Sequence, residues 1–360
     1  MRAVVWYGKG DLRVDEVSDP RDPGPGEALV EVAYCGICGS DLHEYVEGPV
    51  MIRPGPHPLT GEAPPLALGH EFSGRLVALG PPVAGEDGRD GLAVGTRVAV
   101  DPCWRCGTCY WCRRGDYHLC KVGGAVGLAS QGAMARYVRV PAAGLVPLPD
   151  TVDDRAGALV EPLAVGLHAV LRSGIRSGDT VLVNGFGPIG ASVLLNARAA
   201  GAGAVFVSEP HAARRSLAAR MGATVAFDPG EVDVRREVFV ATDRVGPDAV
   251  FDCTGVPALL PGAVDTVRKG GRVVVVGIGH GRVEIEPNRL ALFEREVVGS
   301  LGYRHDLPRV VGLLAAGRLD PGPYVSAVVP LTAAVDDGFD VLLADRAQLK
   351  VLIDVTAGAM

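Results

Sequence analysis

The hydrophobic positions of this chain follow two patterns, and the change-over falls near residue 160. In the first third, short apolar or alternating runs recur: AVVWY, ALVEVAY, FSGRLVALG, TRVAVDP and MARYVRVP. Gly and Pro separate them, as between short strands joined by turns, so antiparallel or barrel-like β structure is predicted there. Residues 48–68, GPVMIRPGPHPLTGEAPPLAL, carry six Pro. So much Pro forms no regular element, and the segment reads as a long functional or lid-like loop. Beyond 160 the period lengthens. PLAVGLHAVLRSGI has helical spacing, and TVLVNG is an apolar strand running through a Gly turn into an Ala-rich helix. AVFVSE is a second strand, followed by the amphipathic helix ARRSLAARMGA, closed by Gly222. DAVFDCTG and GRVVVVGIG are further strands with the helix PALLPGAVDTVRKG between them. Buried strands alternating with helices predict a doubly wound parallel sheet. After 299, LPRVVGLLAAG reads as a helix, followed by mixed strand-like and helical pieces.

Length and charge narrow the picture. A chain of 360 residues suits two domains. With 48% hydrophobic and 21% charged residues it is globular. A net charge of −7 lacks the basic footprint of a nucleic-acid binder. Residues 180–197 carry no charge, but three Gly, one Pro and two Asn break them into strand, turn and helix instead of a membrane span. The N-terminus, MRAVVWYGKGDLRVDEV, places charges where a signal peptide needs an apolar core, so a cytoplasmic enzyme is expected.

Candidate chemistry begins with cysteine. Of eight Cys, five fall between 103 and 120, a spacing that in a long chain favours metal over disulfides. Cys106-x2-Cys109-x2-Cys112-x7-Cys120 can surround one tetrahedral zinc ion with four thiolates. Such a site is closed, so this zinc would be structural; Cys103 is left over. A second set, Cys38-Gly39-Ser40-Asp41-Leu42-His43 with Gly69-His70-Glu71, supplies the Cys, His and carboxylate types of a catalytic zinc with an open position. A third is Asn184-Gly185-Phe186-Gly187-Pro188-Ile189-Gly190, between an apolar strand and a helix. Gly185 permits the turn, Gly187 lets the backbone approach a pyrophosphate, and Gly190 lets helix and strand pack closely. The helix N-terminus then favours the anion. Glu209 ends the next strand, where a carboxylate accepts the ribose hydroxyls of NAD and repels the 2′-phosphate of NADP. Arg214 and Arg215 follow it; either they soften that repulsion, or they are a solvated helix face.

These motifs, in this order, resemble the zinc-containing medium-chain dehydrogenase/reductase family, from AVVWYGKGDLRV to LKVLIDV. The Pro-rich segment before Gly-His-Glu, with VEPLAVGLHAV and VSEPHAARR, is similar to the butanediol dehydrogenase branch; the sorbitol and threonine branches fit the insertion less well. The resemblance implies a GroES-like β-rich catalytic domain from residues 1–162 and 299–360, with a Rossmann domain, 163–298, inserted. It implies that Cys38, His70 and an acid, Glu161 or Glu71, hold the catalytic zinc. Glu161 has a plainer reading as a helix N-terminal charge. Ser40 and His43 match the family's proton relay and Asp41 an outer position behind the ligands. Cys253, Thr254, Val276, Gly277, Ile278, Ser300 and Gly302 would line the cofactor, and Lys350 would reach its pyrophosphate.

The expected reaction is reversible hydride transfer between a secondary alcohol and NAD, best a vicinal diol or α-hydroxy ketone such as 2,3-butanediol, acetoin or diacetyl. Polyols, L-threonine or simple secondary alcohols are the alternatives within the family, and a non-catalytic NAD-binding scaffold the alternative outside it. A scaffold has no use for the intact Cys38, Ser40, His43, His70 and Glu161 set. The family also implies a homodimer or homotetramer joined through the strand near FEREVVGSLGY.

Overall fold

In the computed structural model, which describes residues 1–83 and 92–357, the alternating run EALVEVAYCG forms the strand Glu27–Gly36. Ala28, Val30 and Val32 point into the core, so the alternation predicted from sequence becomes a sheet with one buried face. This strand pairs along its length with Glu71–Leu79. Its other edge is shared: Tyr137–Pro141 pairs with residues 27–31, and Lys350–Asp354 with residues 34–36. The sheet runs in the order Leu145–Pro147, Arg97–Val100, Glu71–Leu79, Glu27–Gly36, Lys350–Asp354, Val325–Pro330. The last strands of the chain thus complete a sheet begun by its first third. Phe72, Leu76, Val98, Val140, Val351 and Ile353 fill the core beneath it. Each such side chain contributes about 1.5–3 kcal/mol by leaving water.

This unit comprises Met1–Glu161, Leu307–Ala315 and Val325–Met360. The other comprises Pro162–Asp306 and Ala316–Tyr324. The second unit holds six parallel strands in the order Val225–Phe227, Ala204–Ser208, Thr180–Asn184, Ala249–Asp252, Arg272–Val275, Glu296–Gly299. That is the doubly wound order of dinucleotide-binding sheets. Its central strands are buried along their length, which is why the sequence shows apolar runs there and no alternation.

The domain bounds expected from sequence are corrected, and two elements appear that the sequence reading did not expect. Segments 299–306 and 316–324, placed with the chain ends, belong to the second unit. His168 Nδ1 lies 3.0 Å from Asp306 Oδ2, and Arg172 Nε donates to the Gly299 carbonyl at 3.1 Å, tying the first of these segments to the helix Val160–Ser173. Strand Val225–Phe227 and helix Val234–Ala241 had no expected counterpart. The strand is three residues long with an exposed Val225, and the helix sits in a charge-rich stretch, started by Asp233 accepting from the Arg236 amide. The Pro-rich segment before Leu66 is a loop without regular structure, as its composition predicts, and it is bonded at both ends and in the middle, as described below. Among the described residues, no helix is long and apolar enough to cross a membrane.

Candidate active site

Cys38 stands at the N-cap of the helix Gly39–Glu47, the helix that also carries Ser40, Asp41, His43 and Glu44. His70 and Glu71 enter through a turn at Gly69, whose φ of +99° is a glycine conformation. A Cβ at Gly69 would also lie 2.7 Å from Cys35 Sγ and 2.7 Å from Met134 Cγ, so the turn can approach the core only as glycine. The result is that donor atoms of Cys38, His70 and Glu71 all lie within 4.8 Å of one another. Asp41 is wholly buried beneath them. Its Oδ2 accepts the Cys38 amide at 2.9 Å, and its Oδ1 lies 3.5 Å from His70 Nδ1. A carboxylate at Nδ1 leaves Nε2 as the ligand nitrogen, as behind metal-bound histidines generally. Ser40 Oγ stands 3.1 Å from that Nε2.

The electrostatics ask for a cation here. Burial opposes a charge on His70, yet Asp41, Cys38 and Glu161 hold its pKa well above the ordinary imidazole value. Burial pushes the Asp41 carboxyl up, against the pull of His70. Glu161, in the first turn of the helix Val160–Ser173, is buried and felt at His70, though outside the group of three. Thiolate, imidazole and carboxylates gathered around one point fit a zinc ion with an open position.

Glu71, in the expected group, is also paired with Lys350. Lys350 is buried, and its Nζ donates to Glu71 Oε1 and Oε2 at 2.9 and 2.6 Å and to the Ile37 carbonyl at 2.9 Å. The ammonium expected at a pyrophosphate is thus engaged here by a buried carboxylate.

The four Sγ atoms of Cys106, Cys109, Cys112 and Cys120 also lie within 4.8 Å of one another. The Cys109 amide donates to Cys106 Sγ at 3.3 Å and the Cys106 amide to Cys120 Sγ at 3.4 Å. The Thr108 and Cys109 amides bring the Cys106 thiol down to about 6, while burial and its neighbours push Cys112 up to about 12. Four sulfurs so close carry negative charge together only around a dication, and four thiolates fit structural zinc. Cys103 lies in the short strand Cys103–Trp104, outside the group. Asp101 fastens this lobe to the sheet, accepting from the Tyr117 hydroxyl at 2.7 Å and the Cys103 amide at 3.0 Å.

In the second unit, the expected cofactor residues gather at the C-terminal ends of the parallel strands. Gly185 follows Thr180–Asn184 with φ +83°, and Pro188 opens the helix Pro188–Ala199. A Cβ at Gly190 would collide with the Gly185 carbonyl, which is the close helix–strand approach this position requires. Phe186, Gly187 and Ile189 complete the turn and the first helical residues. Glu209 is buried, and its carboxylate accepts the amides of Phe186 and His211, each at 2.8 Å. Each oxygen keeps acceptor capacity for a ribose hydroxyl. Arg215 is engaged: it donates to the Glu209 carbonyl at 3.0 Å and pairs with Asp228 at 2.8 Å. Arg214 sits beside it on the helix Ala212–Arg220. Cys253 and Thr254 follow Ala249–Asp252, where Thr254 Oγ1 donates to Asp252 Oδ1 at 2.6 Å. Val276, Gly277 and Ile278 follow Arg272–Val275, and Ser300 and Gly302 follow Glu296–Gly299. Ligands of doubly wound sheets bind at this end.

The alcohol dehydrogenase GroES-like domain matches residues 24–150, and the zinc-binding dehydrogenase domain residues 188–316. The (R,R)-butanediol dehydrogenase of Bacillus subtilis is 37% identical over 356 residues, covering 98% of this chain and 99% of that one. The chain belongs to the zinc-containing medium-chain dehydrogenases. The crystal structure of 2R,3R-butanediol dehydrogenase from Bacillus subtilis superposes with a TM-score of 0.90 over 98% of this chain and 99% of the other. L-threonine 3-dehydrogenase of Pyrococcus horikoshii is 34% identical, over 96% of this chain and 95% of its own. A zinc-binding dehydrogenase of Sinorhizobium meliloti 1021, solved bound to NADP, is 35% identical with a TM-score of 0.86 and 98% coverage of both chains. The dehydrogenase is therefore a zinc-dependent oxidoreductase of secondary alcohols or diols, with a nicotinamide dinucleotide as cofactor and a small molecule as substrate.

Sequence reasoning missed Lys350 as the partner of Glu71 and Glu44 as a buried anchor. The first pair is 279 positions apart, with no local signal to join it. Glu44 follows His43 in a helix whose other residues drew attention, but nothing in its spacing marks what it binds.

Proposed function

We propose that the dehydrogenase interconverts a vicinal diol and an α-hydroxy ketone with NAD, 2,3-butanediol and acetoin being the best candidates, with R preferred at the reacting carbon. The observation that carries it is similarity to butanediol dehydrogenase along almost the whole of both chains, together with the mixed Cys38, His70 and Glu centre. Zinc, when bound, would supply Lewis acidity at this centre, and a nicotinamide dinucleotide would supply the hydride acceptor.

The chain's own residues do the rest. Cys38, His70 and Glu161 hold the catalytic metal; Glu71, with both oxygens on Lys350, is the weaker candidate for third ligand. Asp41 orients His70 from behind. Ser40 takes the proton from the alcohol, and His43, three residues on along the helix and exposed, passes it to water. Cys106, Cys109, Cys112 and Cys120 hold the structural zinc. Gly185, Phe186, Gly187, Pro188, Ile189 and Gly190 receive the pyrophosphate, and Glu209 the adenosine ribose. Glu209 favours NAD over NADP, and the engagement of Arg215 with Asp228 supports this. Arg214, Cys253, Thr254, Val276, Gly277, Ile278, Ser300 and Gly302 complete the cofactor contacts. The enzyme works in the cytoplasm as a homodimer or homotetramer, for which the exposed edge strand Glu296–Gly299 is the natural junction.

The test is NADH absorbance with the stereoisomers of 2,3-butanediol, sorbitol and L-threonine in parallel. The R,R diol is expected to give the highest kcat/KM. A higher value for L-threonine would overturn the substrate and favour the reading suggested by the Pyrococcus relative.

A further inference from the structure

The Pro-rich segment before Leu66 is fastened to the catalytic unit at three points. At its start, the amides of Val50, Met51 and Ile52 all donate to the carboxylate of Glu44, those of Val50 and Ile52 at 3.0 Å to Oε2 and Oε1. In its middle, the amide of buried His57 donates to the Glu62 carbonyl at 2.7 Å and its Nδ1 accepts the Leu59 amide at 3.3 Å, which braces the segment on itself. Thr60 Oγ1 donates to the Ala129 carbonyl. At its end, Glu62 accepts the Gln131 amide at 2.7 Å and pairs with Arg139.

The first fastening differs from the others, because Glu44 lies on the helix that carries Ser40 and His43. Glu44 is fully buried. Its carbonyl accepts from Trp6 Nε1 at 2.9 Å and from the Gly48 amide at 3.1 Å. A Cβ at Gly48 would run into both the carbonyl and the carboxylate of Glu44, so the chain leaves the helix pressed against this side chain. One residue therefore joins the strand Arg2–Gly8, the helix and the Pro-rich segment. A carboxylate taken out of water is stable only with its hydrogen bonds made, and consecutive amides aimed at it are a strong way to make them.

We propose that Glu44 is a positioning residue for the alcohol reaction: its buried carboxylate clamps residues 50–52 onto the helix bearing Ser40 and His43, and so fixes that helix for proton transfer. The proposal rests on the proton-path reading of that helix. Small displacements of a reacting group are costly, about a hundredfold for roughly 1 Å.

The test is Glu44→Gln, which keeps the size but turns one acceptor oxygen into a donor group facing amides. Hydrogen exchange at residues 50–52 should rise by about tenfold or more, the factor set by losing a charge-assisted hydrogen bond. With both zinc ions retained and KM for NAD unchanged, kcat with the diol should fall about tenfold to a hundredfold. Unchanged exchange overturns the clamp. Faster exchange with wild-type kcat and diol KM overturns its catalytic role. Loss of the catalytic zinc also overturns it, because the effect would then run through the metal. Val50→Pro deletes one donor and leaves the carboxylate whole, so it should move both readouts the same way by less. If Glu44→Gln does not fold, Val50→Pro decides by the same criteria. His43→Gln is measured alongside: if it turns over normally while Glu44→Gln is slow, the relay role of His43 falls and the clamp stands, acting through Ser40.

Discussion

Asp41 gives the most demanding test of the metal centre, because it touches two expected ligands and no substrate. Asp41→Asn preserves its shape and removes its charge. In the native arrangement Oδ2 receives the Cys38 amide at 2.9 Å, a charge-assisted bond that contributes about 1.5–3 kcal/mol. Oδ1 stands 3.5 Å from His70 Nδ1, too long for a full hydrogen bond, so its contribution is chiefly charge. An amide has one acceptor oxygen. It must turn its NH2 toward either the Cys38 amide or the His70 ring nitrogen, and both present hydrogens when His70 binds metal through Nε2. One contact therefore becomes a clash in a fully buried site. Outer partners of metal-bound histidine are typically worth about 10–100-fold in metal affinity or activity, or roughly 1.4–2.8 kcal/mol. The clash places Asp41→Asn toward the upper end. The assay is zinc retention against a graded chelator, read by metal analysis and by activity in the same samples. The four-cysteine zinc serves as an internal control and should be held as in the wild type. Catalytic zinc should be lost at lower chelator, and added zinc should restore part of the activity. Wild-type retention and wild-type kcat together would refute the claim that Asp41 orients the centre.

Three further outcomes follow from the same geometry. Cys106→Ser should leave one zinc per chain and lower the thermal midpoint in a melting experiment, since metal-binding energy at a closed site is folding energy; two zinc ions in the variant would refute it. Glu209→Gln should raise kcat/KM for NADP relative to NAD by roughly tenfold, about 1.4 kcal/mol. It should also weaken NAD binding, because the same carboxylate braces the Phe186 and His211 amides; a wild type that already prefers NADP would refute the premise. His43→Gln should keep both zinc ions and NAD binding and slow turnover mainly at low pH, where water accepts the proton poorly. The loss should fall below the roughly 10²–10⁴-fold of a general base, because water can replace a relay; loss of the catalytic zinc would instead make His43 a ligand.

What could be read from the sequence was whatever the covalent chain itself brings together. The four cysteines lie within one short lobe, so their spacing already states that they meet. Gly185, Gly187 and Gly190 lie in one turn, and the apolar strand before them fixes which end of the sheet that turn occupies. The long buried strands were legible for the same reason: Thr180–Asn184 and Ala249–Asp252 each carry enough consecutive apolar residues to declare themselves. Val225–Phe227 does not, because an edge strand of three residues with an exposed first side chain is held by its neighbour and not by its own composition. Lys350 shows the limit for side chains. A basic residue near the end of the chain can point to a phosphate or to a carboxylate, and only the pairing of Lys350–Asp354 with Glu27–Gly36, beside Glu71, brings it to the latter.

The Pro-rich segment marks a finer limit. Its composition correctly excludes a helix or a long strand, but composition says nothing about whether a segment without regular structure is loose. Backbone amides that find no partner in a ladder must find one elsewhere or face water. Here three consecutive amides find a carboxylate six to eight residues back along the chain. That partner can be supplied by any acidic side chain that the preceding helix turns inward, and Glu44 is turned inward because Trp6 and Gly48 close around its own carbonyl. Order in the segment is thus imposed by the helix beside it, and the dependence runs both ways. A helix of nine residues is too short to hold itself in register, so contacts at its ends decide where its side chains stand. The same residue that gives the Pro-rich segment its shape therefore bears on where Ser40 and His43 are presented.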